Sequence, residues 1–409
     1  MNVSKNVLKS ILPPKFSGLI FLGLFIIYSA LFLFYDQLRF PLIWDEKHFW
    51  EASLLFSQSL VPDLNQLRNY GALNTPLPFI VFGVLEYLFG NGIFTGRLLN
   101  LILSLVMVCL IVFPLAQKSK NGVLAACGLL IFPYYLWLST HLYTDIIATF
   151  FVFLGFWLYL RNQHLWSSVS FILAIASRQY MLAFPVALAA YELMSSLKAG
   201  FQFRPRQLAP IAAAATILGW LWLFKGLAPE AAIATQSTPS VQQATWSFSL
   251  SPSLYFLSCI GLYFVIPEWI LFSRSFSLKQ ILSFRNVALM LGLLPAFVFF
   301  PPLEAHGLLI KIENFLPAPS AVLAVFYVLA FLTCVRFSRA NLAFWLLFVN
   351  CGLMLKAYPW DKYALPLLVV FWYFKSTNIL DSKVQDTGND SQKAKTATPE
   401  DSGLFRQSL

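Results

Sequence analysis

The sequence predicts an all-α polytopic membrane protein with about twelve transmembrane helices and two interfacial helices in its first outer loop. The first observation is composition: 58% of the 409 residues are hydrophobic, 11% are charged, and the mean hydropathy is +0.70. A soluble domain carries about 25% charged residues, so this chain has too few to cover a surface that faces water. The second observation is a series of apolar runs near the roughly 20 residues that a helix needs to cross a bilayer. The short alternating segments of a β-barrel are absent from the sequence.

The first apolar run, about residues 18–34, predicts the first transmembrane helix. Residues 37–96 are then expected to form a long outer loop. Within it, residues 46–60 place aromatic and leucine side chains among polar ones, which is typical of an amphipathic helix in the membrane interface. Residues 76–89 are apolar but too few for a span, which predicts a second interfacial helix. The remaining predicted spans are 97–116, 122–139, 144–160, 164–177, 180–196, 208–226, 252–273, 287–302, 319–335, 342–357 and 362–375.

The basic residues of the loops predict the orientation of these helices. With the N-terminus inside and residues 76–89 in the interface, most of the 28 Lys and Arg residues fall in inner loops and tails, as the positive-inside rule requires. We therefore expect one membrane-embedded domain over residues 1–375. Residues 376–409 are polar with few large apolar side chains, which predicts a disordered cytosolic tail.

The rare polar residues of the predicted outer face collect in a few short segments. Ionisable groups in or beside a membrane are costly, so they tend to mark a functional site. The most prominent segment is Trp44-Asp45-Glu46-Lys47-His48, where two adjacent carboxylates follow the first apolar run of a chain with only 18 acidic residues. The other segments are His141-Leu142-Tyr143-Thr144-Asp145, Arg178-Gln179, the loop with Glu304, His306, Lys311 and Glu313, and the stretch from Lys356 to Tyr363.

These residue types suit a transfer reaction on an anionic, lipid-linked substrate. A carboxylate can accept the proton of an attacking hydroxyl while the glycosidic bond to a leaving phosphate breaks. Arg and Lys can bind that phosphate and stabilise the charge that grows on it. The sequence therefore favours an enzyme that expels a phosphate at the outer face of a membrane.

Each candidate also has a purely structural explanation. Asp45 and Glu46 could end a helix and face headgroup water, and Asp145 could cap the helix that begins beside it. Arg178 could extend to lipid headgroups, and Lys362 could be an interfacial anchor among aromatic residues. His306 could be an ordinary loop residue.

The order of these motifs resembles that of the GT-C type integral-membrane glycosyltransferases, which use polyprenyl- or dolichyl-phosphate-linked sugars. The acidic motif that opens the first outer loop of that superfamily is matched by Asp45-Glu46, and its second acidic residue, after the third span, by Asp145. Further similar segments are Asn74-Thr75-Pro76-Leu77-Pro78, Gly96-Arg97-Leu98-Leu99-Asn100 and Lys362-Tyr363-Ala364-Leu365-Pro366. Within the superfamily the chain is most similar to the dolichyl-phosphate-glucose α-1,2-glucosyltransferases, through Asp45-Glu46, Tyr143-Thr144-Asp145, Arg178-Gln179 and Ala305-His306-x-Leu308-Leu309.

The resemblance implies a GT-C fold and an inverting hexosyltransferase, with glucose as the favoured sugar. It implies a catalytic module over residues 1–196, followed by variable C-terminal helices over residues 197–375. Asp45 is the expected catalytic base, and Glu46 is expected to orient the acceptor or to share that role. The residues expected to bind the donor phosphate are Arg178, Lys362 and Tyr363. The residues expected to bind the substrates are His48, Tyr143, Asp145, Gln179 and His306.

The expected partners are a polyprenyl- or dolichyl-phosphate-linked sugar donor, a glycan or lipid-linked acceptor, and membrane lipids. No cofactor, no metal and no nucleic acid is expected. The predicted location is a bacterial inner membrane or an endoplasmic reticulum membrane, with the site on the extracytoplasmic or lumenal side.

An alternative is a polytopic transporter or a flippase for lipid-linked sugars. Such proteins place charged residues near the bilayer midplane within repeated, broken helices. Here the charged residues gather at one predicted face, and the sequence shows no repeat with a period of about 20–50 residues. This arrangement favours the enzyme.

Overall fold

The computed structural model describes residues 14–114, 121–198, 205–236, 247–272, 283–316 and 318–380. Within these ranges the chain is helical and forms no β-strand. The helices, in chain order, are α1 (Pro14–Phe34), α2 (Glu46–Phe56), α3 (Leu64–Arg68), α4 (Leu77–Phe89), α5 (Ile93–Val112), α6 (Asn121–Leu130), α7 (Pro133–Thr140), α8 (Thr144–Tyr159), α9 (His164–Ser177), α10 (Ala183–Lys198), α11 (Pro205–Ala215), α12 (Ile217–Phe224), α13 (Glu230–Thr235), α14 (Ser251–Ile260), α15 (Ile266–Leu271), α16 (Phe284–Phe299), α17 (Pro319–Arg336), α18 (Leu342–Met354) and α19 (Leu365–Ser376). Short 3₁₀ helices cover Asp36–Leu38, Gln179–Leu182, Ile310–Asn314 and Asp361–Ala364, and a π-helical turn, Gly261–Val265, joins α14 to α15.

In the described ranges, five helical segments are long and apolar enough to cross a bilayer, and the bent pair of α6 and α7 can supply a sixth span. Other apolar helices, α8 and α9 among them, have 10–17 residues, which is short for a span. The described part of the chain is therefore all-helical, and the protein is an integral multi-pass membrane protein, as the sequence predicts. The expected number of twelve spans is not confirmed. The five long segments are Ile93–Val112, Gln179–Leu197, Pro205–Phe224, Ser251–Leu271 and Pro319–Arg336.

The run predicted as one continuous span over residues 122–139 is bent. Its two helices, α6 and α7, meet at 73° directly before Pro133. Proline lacks an N–H donor and pushes the preceding residue into extended backbone, so a helix tends to end there. Phe132 has the corresponding ψ of 110°. After the bend, α7 leads into the short turn that carries Tyr143.

Helix α19 is the most buried element of the described fold, with every side chain from Leu365 to Ser376 buried. It packs on α6 and α8, and the indole of Trp372 lies so close to Gly128 that a β carbon there would overlap it. The helix begins directly after the 3₁₀ turn that holds Lys362, so its packing fixes the position of that lysine. Of the predicted tail over residues 376–409, residues 376–380 are described, with Ser376 as the last residue of α19 and Leu380 buried, and residues 381–409 lie outside the described residues.

The two helices expected in the first loop form at the predicted positions, as α2 and α4. They pack against each other at Gly83, where a β carbon would lie 2.7 Å from backbone atoms of Ser53 and Phe56. Only glycine permits this close approach. Helix α4 ends at Gly90, whose φ of 58° is readily adopted by glycine. The place of both helices in the membrane interface stays a prediction.

Candidate active site

Asp45 lies where the first loop turns into α2. The turn depends on Trp44, whose φ of 51° is in the left-handed region that residues other than glycine rarely adopt. The Asp45 side chain is 42% exposed, and its Oδ2 lies 3.3 Å from Nζ of Lys362. The two residues are 317 positions apart in the chain. Their ion pair therefore joins the first loop to the segment that precedes α19.

Lys362 is the buried member of this pair, with 3% of its side chain exposed. Its ammonium lies 3.6 Å from the ring centre of Trp360 and 5.1 Å from that of Tyr143, distances at which an aromatic ring attracts a cation. Burial lowers the pKa of Lys362, and the negative charges of Asp145 and Asp45 oppose that shift. A cation held in such water-poor surroundings attracts an anion more strongly than an exposed lysine does.

A second ion pair, between Asp145 and Arg178, lies beside the first. Asp145 is buried in the first turn of α8, and Arg178 is buried directly after α9. The hydroxyl of Tyr180 donates to Oδ1 of Asp145 at 3.4 Å, and the Arg178 guanidinium lies 5.0 Å from the ring centre of Tyr180. Asp145 thus pairs with a cation and does not cap α8, and Arg178 does not extend to the lipid headgroups. The ion pair thus excludes the structural explanations that the sequence leaves open for Asp145 and Arg178.

The two ion pairs and the tyrosines around them form one group. We call it the charge cluster, and its members are Asp45, Asp145, Arg178, Lys362, Tyr143, Tyr180 and Tyr363. The rings of Tyr180 and Tyr363 meet edge to face, with centres 5.4 Å apart, and so connect the pairs. Nη1 of Arg178 faces the carboxylate of Asp145, whereas Nε is buried and has no hydrogen-bond acceptor among the described residues. This Nε–H group can donate to an incoming anion.

Glu46, the predicted partner of Asp45 in catalysis, is fully buried and bonds to a different set of groups. Its carboxylate receives hydrogen bonds from Arg97 at 2.9 and 2.6 Å. It also receives them from the N–H groups of Leu142 at 2.6 Å and Ile43 at 3.2 Å. Four donors occupy the two oxygens, which leaves little capacity for a substrate hydroxyl. This geometry disfavours a catalytic role for Glu46, which instead anchors the first loop.

Arg97, the partner of Glu46, lies near the start of α5 and also binds the first loop directly. One turn later, the Asn100 amide donates to the carbonyl oxygens of His141 and Tyr143 at 2.7 and 2.9 Å. One helix therefore fixes both the loop that carries Asp45 and the turn that carries Tyr143. Besides Glu46, Arg97 donates at 2.7 to 3.3 Å to three loop carbonyls, those of Leu38, Phe40 and Pro41.

The charge cluster brings together six of the ten residues predicted from the sequence, and Glu46 and three others lie outside it. His48 is exposed on α2, 4.0 Å from Glu51. The Gln179 amide donates to two backbone carbonyls of other segments, at 2.7 and 3.0 Å, and so ties those segments together. His306 is exposed, and its Nδ1 lies 2.6 Å from the hydroxyl of Tyr358. None of these contacts involves the charge cluster.

Sequence reasoning missed Tyr180, Trp360 and the anchoring role of Arg97. Tyr180 and Trp360 each lie two residues from a basic residue of the charge cluster. An aromatic residue beside a lone cation at a helix boundary is the signal that could have identified both. No group of His, Cys, Asp and Glu side chains that could hold a metal ion occurs in the part of the chain that the structure describes. The expectation that no metal is required stays a prediction.

No protein-family model matches the chain, and no curated protein matches it. Among solved structures, the chain is similar to a crystal structure of ArnT from Cupriavidus metallidurans bound to undecaprenyl phosphate. The two share 13% sequence identity with a TM-score of 0.44, over 89% of this chain and 77% of that chain. A likeness of this size does not establish a family.

Proposed function

We propose that the protein is a membrane glycosyltransferase that moves a sugar from a polyprenyl- or dolichyl-phosphate donor to an acceptor hydroxyl. The observation that carries this proposal is the Asp45–Lys362 pair beside the Asp145–Arg178 pair. A partly exposed carboxylate thus lies next to two buried cations, in a chain with several helices apolar enough to cross a membrane. A reaction that deprotonates a hydroxyl and expels a phosphate needs this combination of groups.

The two cations are the proposed ligands of the donor phosphate. Arg178 offers a planar fork that can bind two phosphate oxygens, and Lys362 adds a compact point charge. In the free protein these cations are balanced by Asp45 and Asp145. A phosphate brings its own negative charge, so it can replace the more exposed carboxylate, Asp45, as the partner of Lys362.

In the proposed reaction, the oxygen of the acceptor hydroxyl forms a bond to the anomeric carbon of the sugar. The bond between that carbon and the phosphate oxygen breaks, and its electron pair stays on the phosphate. The hydroxyl proton moves to Asp45, which later releases it to water. The leaving phosphate needs no proton, because Arg178 and Lys362 stabilise its charge. Attack from the face opposite the phosphate inverts the anomeric centre.

Asp45 is the proposed base because it is the carboxylate near the two cations with access to a substrate. It is 42% exposed, whereas Glu46 and Asp145 are fully buried. The oxygens of Glu46 are occupied by four donors, and Asp145 pairs with Arg178. Asp145 is therefore proposed to hold Arg178 in place and so to support substrate binding indirectly.

We further propose that the sugar is a hexose, with glucose favoured, and that the acceptor is a lipid-linked glycan or another extracytoplasmic molecule. The motifs at residues 45–46, 143–145 and 178–179 support this choice, because their order resembles that of the dolichyl-phosphate-glucose glucosyltransferases. The bias of basic residues toward the predicted inner loops supports a site on the extracytoplasmic or lumenal side. A bacterial inner membrane and an endoplasmic reticulum membrane both fit this orientation.

Incubation of the purified protein in nanodiscs with a panel of polyprenyl- and dolichyl-phosphate sugars tests the proposal. We expect one or more donors to release the polyprenyl phosphate, and we expect Asp45→Asn to slow that release by about 10²–10⁴-fold. Glu51→Gln is the matched control, because Glu51 is an exposed carboxylate on α2, the helix that begins directly after Asp45. Its turnover should equal that of the wild type.

Two outcomes would count against the proposal. Full turnover by a folded Asp45→Asn variant would remove Asp45 as the base. Failure of the wild type with every donor, together with movement of a lipid-linked sugar across the bilayer, would favour the flippase instead.

A further inference from the structure

Asp361 is a buried carboxylate that the proposed reaction does not use. It directly precedes Lys362 and has no exposed surface. In the described ranges no Lys or Arg side chain forms an ion pair with it. Its Oδ2 instead accepts three hydrogen bonds, from the N–H groups of Leu308 (2.8 Å) and Leu309 (3.1 Å) and from the hydroxyl of Tyr263 (3.1 Å). The carboxylate is thus held by one loop and by the π-helical turn.

The loop at residues 306–309 is shaped to receive this carboxylate. Gly307 has a φ of 116°, and a β carbon there would overlap the carboxylate of Asp361. Both features require glycine. The N–H of His306 donates to the carbonyl oxygen of Pro359 at 2.8 Å. The loop is therefore docked on the segment directly before the lysine, through both backbone and side-chain hydrogen bonds.

This docking bears on Lys362, because a lysine side chain has many rotamers and its own backbone must be fixed before its ammonium can be. The ammonium lies between Asp45, at 3.3 Å, and the ring of Trp360, at 3.6 Å. Trp360 is itself oriented, since its indole N–H donates to the hydroxyl of Tyr134 at 3.4 Å. A shift of residues 359–361 would therefore move both the stem of the lysine and the ring beside its ammonium.

A buried carboxylate without a cation is costly, since its charge loses contact with water. Burial raises the pKa of Asp361, and the hydrogen bonds from Leu309 and Leu308 oppose that shift. An apolar side chain at this position would avoid the penalty but would leave two consecutive N–H groups of the loop without an acceptor. The carboxylate is the group that joins the N–H groups of Leu308 and Leu309 to the segment of Lys362.

We propose that Asp361 is a positioning residue for the donor phosphate: by docking residues 306–309 on residues 359–361, it fixes Lys362 where the phosphate binds. Asp361 acts through the lysine and touches no reacting atom. The proposal rests on the proposed function, which assigns Lys362 to the donor phosphate.

Binding of polyprenyl phosphate alone to the full-length protein in nanodiscs tests this role. Asp361→Ala and Gly307→Ala disrupt the docking from opposite sides, and each should weaken the Kd about tenfold, with a smaller change in kcat at saturating donor. Asp361→Asn keeps one oxygen for the loop N–H groups and should recover most of the binding. Asp63→Asn is the matched control, because Asp63 is an exposed helix-capping carboxylate and asparagine caps helices equally well.

A double-mutant cycle separates positioning from general damage to the fold. If Asp361 acts through Lys362, adding Asp361→Ala to Lys362→Gln should weaken binding little beyond the single Lys362→Gln variant. Losses that multiply in the double variant, or an Asp361→Ala variant that binds polyprenyl phosphate like the wild type, would overturn the proposal.

Hydrogen exchange distinguishes a failure of this proposal from a failure of the proposed function. The N–H groups of Leu308 and Leu309 should exchange faster in Asp361→Ala, whatever the activity of the protein. Unchanged exchange would show that the carboxylate does not dock the loop. If the wild type binds no polyprenyl phosphate, the proposed function fails, and the phosphate-positioning role of Asp361 fails with it.

Discussion

The adjacent carboxylates Asp45 and Glu46 should give opposite results when each is changed to its amide. Glu46→Gln removes the charge that faces Arg97, and neither of these two side chains is exposed. Removing one partner of a buried ion pair costs about 3–5 kcal/mol, because the other charge stays buried. Arg97 keeps its three carbonyl acceptors in the variant, and the amide oxygen still accepts a hydrogen bond. We therefore expect Glu46→Gln to lose stability near the lower end of that range, about 3 kcal/mol.

Asp45→Asn should change stability much less. The carboxylate is 42% exposed, so water screens its charge, and the negative charge of Asp145 still acts on the buried ammonium of Lys362. The amide oxygen can still accept a hydrogen bond from Lys362. Turnover, in contrast, should fall by about 10²–10⁴-fold, because an amide cannot take the proton of the acceptor.

Two assays on the same purified variants decide between these outcomes. Labelling of buried thiols such as Cys259 during heating reports unfolding, and release of polyprenyl phosphate reports turnover. Glu46→Gln should unfold at a lower temperature, whereas Asp45→Asn should unfold with the wild type and be nearly inactive. Adding Arg97→Met to Glu46→Gln should restore part of the stability, because it removes the unpaired buried charge. A stable but inactive Glu46→Gln, with an active Asp45→Asn, would refute the assignment of the base.

Three further predictions concern the cations and the core. The proposed binding of phosphate needs the protonated form of Lys362, and burial lowers the pKa of that lysine from the ordinary 10.5. The Kd for polyprenyl phosphate should therefore begin to rise at lower pH than a free lysine would allow, and Lys362→Arg should move that rise to higher pH. Arg178→Lys keeps a charge but loses the planar fork, so the same titration should show a Kd about tenfold weaker. Gly128→Val forces a side chain against the indole of Trp372, so heating should show a loss of about 1–3 kcal/mol of stability, with the KM for the donor unchanged.

The fold class follows from the sequence because composition and run length both reflect the solvent that surrounds the chain. Helices α5, α14 and α17 accordingly lie within the runs predicted as spans or within a few residues of them. The number of spans, in contrast, does not follow from composition and run length. Several apolar runs form helices of 10–17 residues, and Pro133 converts one predicted span into two helices at 73°. A hydropathy pattern measures how apolar a run is, but it does not show where the backbone turns.

The site was predictable only in part. Four residues could be placed on one face of the membrane from the sequence, because each lies at the end of an apolar run and the predicted topology brings those ends to the same side. They are Asp45, Asp145, Arg178 and Lys362. The different roles of two adjacent carboxylates could not be predicted. Glu46 is buried because it pairs with Arg97, which lies 51 positions later in the chain. No local pattern contains that information.

The paired charges also give the proposed reaction an internal order. In the free protein, Asp45 and Lys362 neutralise each other, so an acceptor that arrives first meets a base already engaged by a cation. In the proposed reaction, a donor phosphate that binds Lys362 would replace Asp45 as the partner of the ammonium and would leave Asp45 free beside the sugar. The proposed base would then become available only when the leaving group is in place, which would limit unproductive proton transfer. This coupling requires the lysine ammonium to stay fixed while its partner changes. Three features meet this requirement: the burial of Lys362, its contact with Trp360, and the backbone that Asp361 anchors.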